Sequence, residues 1–364
     1  MRSEVPFQRV ADSPTVKYYV DWAAFEPFLE DPAPATGSAV DGRLLELLGI
    51  GVDVELGLGG GGPAGGAGWE AEALRLMEFH RGNLSLWREL RVDGALAVLV
   101  RKPVGGTKSS HLRLLLGDGA RAAVLLLSPA DARGLHTLTL DVEVEPEAEA
   151  SLLLVAFDSL EAPGFTAQRV SVGEGAQFTQ LTVVGRGRMA YLEQSCALGR
   201  GASLRLLGAL AAPRGSRVAL VTNVGVNEPR AAARVEVVGF AAGGTLVHKG
   251  VAWAGVGAVE SSLSISSRLT PLDGDARVYA APMLEIRSNS VAEASHSASH
   301  APVSEDALFY LRARGIPERE ALRMIVEGSY RGLLEGAPGA EAALRLLPAI
   351  VESLTAGAPP PGEG

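Results

Sequence analysis

The chain has 364 residues, 47% hydrophobic but only 5% aromatic, so a sizeable core is available and Val, Leu, Ala and Ile must fill it. Its 44 Gly and 21 Pro exclude a fold dominated by long helices. A net charge of −9 without extended basic runs argues against nucleic acid as a partner, and a lone cysteine, Cys196, excludes an internal disulfide framework and suits a reducing compartment.

The opening, Met1 to Val10, has neither the apolar centre nor the cleavage pattern of a signal peptide. No apolar run approaches the roughly 18 residues of a membrane span, so no membrane partner and a cytoplasmic location are expected. Residues 1–81 read as short helices broken by loops. Apolar clusters lie at Asp21 to Leu29 and Leu44 to Leu48, interrupted by Pro27, Pro32 and Pro34. A glycine-rich stretch runs from Gly57 to Gly68. A helix restarts at Trp69, with Leu74, Met77 and Phe79 as its buried candidates.

From about residue 82 to residue 303 the pattern changes to short apolar or alternating runs separated by Gly, Asp, Asn or Pro. Ala95 to Val100, Ala122 to Leu127, Leu138 to Val144 and Ser151 to Phe157 are examples. Farther on, Val218, Leu220 and Thr222 alternate with their neighbours, as do Val235 with Val237 and Leu263 with Ile265. Such patterning over short lengths means strands. Turn pairs precede them at Gly201-Ala202, Gly215-Ser216, Gly243-Gly244 and Gly257-Ala258, in steps of 14, 28 and 14 residues, with a weaker unit at Ala231 to Ala233 inside the long step. A solenoid and a β-sandwich explain this spacing equally well.

Residues 304–357 take a helical period. Ser304 is placed to cap a helix, with Glu305 and Asp306 in its first turn and Gly315 to end it. Pro317 opens a second helix, in which Leu322, Ile325, Val326, Ser329, Tyr330, Leu333 and Leu334 form one face. A third runs from Ala340 to about Leu354, after Pro338. The tail, residues 358–364, is expected to be disordered.

Few residues carry obvious chemistry. Gly57 to Gly68 lacks a following Lys-Ser or Lys-Thr, and Val104 to Ser109 lacks the P-loop glycines, so both read as flexible loops rather than phosphate cradles. Of six histidines only His296 and His300 are close in sequence, and on these residues alone they read as a surface or structural pair. Cys196 reads as a small buried residue on a strand. A carbohydrate-active enzyme would need carboxylates clustered on one rung, and strand-borne acids are sparse after residue 195.

The run Asn289-Ser290, His296-Ser297-Ala298-Ser299, Ser304-Glu305-Asp306 and Phe309-Tyr310-Leu311 to Arg314-Gly315-Ile316, continued by Ile325-Val326-Glu327-Gly328, resembles the SufB/SufD family of iron–sulfur cluster assembly scaffolds. The match from Ala276 to Ile286 is looser, and before about residue 150 it is architectural only. The resemblance favours the solenoid: a right-handed parallel β-helix between N-terminal and C-terminal helical regions. It implies a non-enzymatic scaffold that docks a SufC-like ABC-type ATPase through a region containing Phe309, Tyr310, Leu311 and Arg314. For Phe309, however, the physical expectation is that it packs the helices onto the end of the β-helix. A second SufB/SufD-type subunit, as homodimer or heterodimer, is implied at the strands near the C-terminal end. His296 is then a metal-binding residue, an iron contact for a transient iron–sulfur cluster, with no tightly bound cofactor. Ser297, where SufB members carry an acid, Ala294, where SufD members carry a cysteine, and the absence of Cys between Glu260 and His296 depart from the family pattern. They keep open a diverged paralogue that binds partners but assembles nothing.

Overall fold

The computed structural model describes residues 21–57 and 73–356. Its centre is a parallel β-solenoid made of an eight-stranded sheet, from Leu84–Val92 to Arg277–Ile286, and a nine-stranded sheet, from Val54–Leu56 to Glu293–Ser299. From Thr107 onward consecutive strands alternate between the two sheets, and each pairs in parallel with the strand one turn away. A Greek-key sandwich would place antiparallel neighbours side by side, so the solenoid is the correct reading of the strand spacing. A full turn takes 28 residues where His111 meets Thr139 and 30 where Ala231 meets Ser261. The step of 14 residues seen in the sequence is therefore half a turn, one strand and its corner.

One corner explains the Gly-Ala signal. Gly119, Gly175 and Gly201 hold left-handed backbone there, as do the non-glycines Glu147, Arg230 and Glu260. This conformation aims the N–H of Gly175, Gly201 and Arg230 at the carbonyls of Arg200, Pro229 and Val259 on the next turn, at 2.8–3.0 Å. The next residue turns inward, and Ala120, Ala148, Ala176, Ala202 and Ala231 stack there as a buried row.

Three apolar layers follow. Between the sheets lies a core of Leu, Val, Ala and Ile with Phe178 as its aromatic member. The outer face of the eight-stranded sheet, with Phe165, Tyr191, Ala219 and Val221, is covered by α1 (Trp22–Glu30) and α3 (Leu74–Gly82). The outer face of the nine-stranded sheet is covered by α2 (Gly42–Leu48), α5 (Glu318–Leu334) and α6 (Ala340–Thr355). A short helix, α4 (Glu305–Ala313), precedes α5, and Thr36–Ala39 pairs antiparallel with Lys102–Gly105.

Several local expectations change. Pro27 lies inside α1 rather than interrupting it. In α3 the buried residues are Leu76, Met77 and His80, whereas Leu74 is exposed, because the helix face is set by the sheet beneath it. The glycine-rich stretch beyond Gly57, the helix start at Trp69 and the tail lie outside the described residues. Val104 to Ser109 is not a loop: Gly106 turns between two strands, and the Lys108 ammonium is buried on the carbonyls of Leu56 and Arg101, at 3.1 and 3.2 Å.

Polar chains are built into these layers. Under α3, His80 reaches the hydroxyls of Thr137 and Thr139 at 2.8 and 3.0 Å, and Thr139 also meets His111 at 2.8 Å. Between the sheets, Gln168 and Gln180 exchange amide hydrogen bonds at 2.8–2.9 Å, Gln194 donates to Gln168 and Thr182, and His248 meets Ser267 at 2.5 Å. Burial pushes both His80 and His248 down to about 3 from an ordinary value of 6.5. Both rings are thus neutral in the fold but protonate below pH 6.5 once unfolded. The unfolded chain then binds more protons, so stability is expected to decline as pH falls from 6.5 towards 3. Urea midpoints measured across that window check this, and His248→Gln should flatten the slope.

Candidate functional site: the open end of the solenoid and helix α4

Among the described residues the last turn of the solenoid has no successor. Arg277–Ile286 and Glu293–Ser299 each pair on one side only, so each leaves a free sheet edge. His296 sits at the middle of the second strand, in register with Ile265 and, turn by turn before it, Val235, Leu206 and Gln180. Those four are buried or nearly so because another turn covers them; His296 lies in the same inward column but is exposed because none does. Its flanks, Ala294, Ser295, Ser297 and Ala298, are small. Tyr279, Met283 and Ile286 are exposed apolar residues on the neighbouring strand.

His300 lies past the strand end, also exposed, and neither ring has a hydrogen-bond partner among the described residues. The two histidines therefore do not share a strand face. Among the described residues no three His, Cys, Asp or Glu side chains stand together as metal ligands. Cys196 does not reach the open end. It is buried between the sheets, where burial pushes its thiol up to about 12 and keeps it from forming a thiolate.

Helix α4 starts as the sequence indicates. The Ser304 hydroxyl accepts from the Ala307 N–H at 3.3 Å, Glu305 and Asp306 fill the first turn, and Gly315 follows in left-handed backbone. None of its residues is buried. Phe309 is 73% exposed and Tyr310 56%, Leu311 is half-buried, and the exposed Arg314 guanidinium lies 4.7 Å above the Tyr310 ring. The expectation that Phe309 packs the helices onto the end of the solenoid is therefore wrong. The helices dock on the outer face of the nine-stranded sheet, and α5 and α6 do that work through Val326, Tyr330, Leu347 and Ile350.

The sequence-derived residues form two separate features, the end strand with His296 and the helix with Phe309, Tyr310, Leu311 and Arg314. Sequence reading missed the open apolar edge at Tyr279 and Met283. The alternating Arg277, Tyr279, Ala281, Met283 and Glu285 carried the signal, since a final strand exposes what inner strands bury.

The SUF system FeS cluster assembly, SufBD core domain matches residues 101–329, which extends the likeness well upstream of residue 150. Iron-sulfur cluster assembly SufBD family proteins of Mycobacterium bovis and Mycobacterium tuberculosis are 26% identical over 282 residues, covering 73% of this chain and 69% of theirs. One from Mycobacterium leprae is 24% identical over 285 residues, covering 75% and 71%. Among the described residues no helix is long and apolar enough to cross a membrane. With a parallel solenoid flanked by helices and a core-domain match spanning most of it, this chain belongs to the SufB/SufD family of iron–sulfur cluster assembly proteins.

Proposed function

We propose that the chain is a non-enzymatic, cytoplasmic scaffold subunit on which an iron–sulfur cluster is assembled. It docks a SufC-like ABC-type ATPase through α4 and the start of α5, and a second SufB/SufD-type subunit through the free sheet edges. His296 offers one imidazole to iron that arrives as cargo. The observation that carries this reading is the bare state of α4. A helix that buries nothing of its own while holding a phenylalanine, a tyrosine and an arginine in solvent has the composition of an interface centre.

Capture of the cognate ATPase by the wild type and by a Phe309→Ala/Tyr310→Ala variant tests it. Hot-spot aromatics cost about 2 kcal/mol or more each on truncation, so affinity should fall by at least about a hundredfold. Stability should stay within about 0.5 kcal/mol, because both rings are exposed. Unchanged capture would remove α4 from the docking surface. One specific observation favours a second reading, a paralogue that binds partners without building clusters: Ser297 and Ala294 flank His296 where relatives of the family carry an acid or a thiol, and Cys196 is sealed in the core. Anaerobic reconstitution with iron and sulfide, with His296→Ala alongside, separates the two, since only the active scaffold gives a cluster spectrum that depends on His296.

A further inference from the structure

We infer that a buried corner of the first solenoid turns holds a small monovalent anion of chloride's size, bound by Lys108 and His136. The site lies towards the opposite end of the strand stack from Glu293–Ser299, and it does not depend on the functional reading above.

Three charged side chains, Lys102, Lys108 and Asp158, are buried there. The Asp158 carboxylate is taken up by Lys102, whereas Lys108 bonds only the carbonyls of Leu56 and Arg101. Carbonyls accept hydrogen bonds but carry no net charge, so the cluster buries one positive charge more than it cancels. A buried charge is stable only when it is paired or neutralised. Burial and Lys102 bring Lys108 down to about 8, which leaves the ammonium form dominant at neutral pH. Deprotonation therefore does not remove the surplus there. An anion does.

The spare hydrogen-bond donors are grouped. Lys108, His136 and Gly164 occupy one column on successive turns, about 4.8 Å apart. The Asp158 carboxylate lies where a Cβ on Gly164 would stand. In this column His136 thus stands between the Lys102–Asp158 pair and Lys108. It is 1% exposed, its Nε2 meets the Ser110 hydroxyl at 3.2 Å, and its Nδ1 is sealed without a partner among the described residues. Burial and the two lysines hold the ring neutral. With Ser110 donating to Nε2, the ring proton is on Nδ1, an N–H without an acceptor. Each ammonium has three N–H groups, of which Lys108 uses two and Lys102 one. Donors therefore outnumber acceptors, and buried donors require them. The positive surplus rules out a cation, and water would satisfy the donors without cancelling the charge.

The chain is widened at this place. The corners 101–106, 128–134 and 158–163, which carry Lys102 and Asp158, are longer than the later corners 187–189, 213–216 and 242–244. A longer corner spans a wider gap between the sheet edges. Because the cluster is sealed from solvent, the fit is to a compact ion rather than to a phosphate or a carboxylic acid.

Denaturant unfolding of the full chain at neutral pH and constant ionic strength, with chloride exchanged for gluconate, tests this. An ion bound only by the folded chain raises the folding constant tenfold for each tenfold rise in its concentration above the dissociation constant. The wild type should show that dependence, and Lys108→Met, which removes the surplus charge, should show none. Bromide has the charge and nearly the size of chloride. In crystals of the wild type its anomalous scattering should give a peak within hydrogen-bonding distance of Lys108 Nζ and His136 Nδ1, a measurement that decides the matter even where Lys108→Met fails to fold. Wild-type stability that is flat in chloride, an undiminished dependence in Lys108→Met, or a water in place of bromide overturns the site.

Discussion

Replacing Asp158 with alanine is expected to cost about 3–5 kcal/mol, because it leaves the Lys102 ammonium buried without its carboxylate. Both side chains are nearly sealed, 4% and 9% exposed, and Lys102 donates directly to Asp158 Oδ1. The surroundings make the loss worse. Lys108, a second buried ammonium, has only carbonyl partners, and burial together with Lys102 pushes it down to about 8. His136 beside them is driven well below its ordinary value by burial and by these two lysines. Asp158 is the carboxylate that the Lys102 ammonium pairs with. Denaturant midpoints at fixed pH measure the cost, and a loss below about 1 kcal/mol would mean that water reaches Lys102. Lys102→Met with Asp158→Leu should recover most of the loss, since a well-packed apolar pair is often as stable as a buried ion pair.

That cluster illustrates what the sequence conceals. Val104 to Ser109 reads in the sequence as a flexible loop, because it lacks the P-loop glycines. The burial of Lys108 depends on chain that is distant in sequence: the Leu56 carbonyl supplies one of its acceptors. The strands were far more legible, and their pattern even reports what covers them. Ala122 to Leu127 and Ser151 to Phe157 are continuous apolar runs because their inner faces pack in the solenoid while their outer faces lie under helices. Ser262–Pro271 alternates over Ser262 to Leu269 because its outer face there is only partly covered. Likewise the period of Leu322 to Leu334 pointed to Val326, Tyr330 and Leu333, which are buried.

The helix α4 and the end strand resisted for a different reason. Burial of Phe309 was expected from residue type, yet burial requires a surface opposite, and the nine-stranded sheet is already occupied by α5 and α6. For His296 the change to a helical period at Ser304 announces that the strands end, but only the register shows that this position belongs to the inward column. Its exposure follows from the lack, among the described residues, of a further turn to cover it.

Replacing Tyr330 with alanine is expected to cost about 4–5 kcal/mol, the largest effect of a single truncation in the helical layer. The ring is fully buried in α5, packs edge-on against Phe240 at 5.3 Å between centroids, and its hydroxyl donates to the Leu210 carbonyl at 2.6 Å. Alanine opens a cavity between helix and sheet and leaves that carbonyl without the hydroxyl. Tyr330→Phe keeps the packing and isolates the hydrogen bond, so it should cost only about 1–2 kcal/mol. The damage should be regional. The core between the sheets has its own apolar layer and ladder hydrogen bonds, whereas α5 and α6 are held by the outer face, by each other and by α2. Hydrogen exchange should therefore lose protection first in α5 and α6, then in the strands beneath them, Ser203–Ala212 and Ala232–Ala241, with strands of the opposite, eight-stranded sheet such as Ala190–Leu198 unchanged. ATPase capture should fall with it, because α4 is positioned through α5. Uniform loss of protection along the whole solenoid would instead mean that the helices and the sheets unfold as one unit, and the docking layer would not be a separable element of the scaffold.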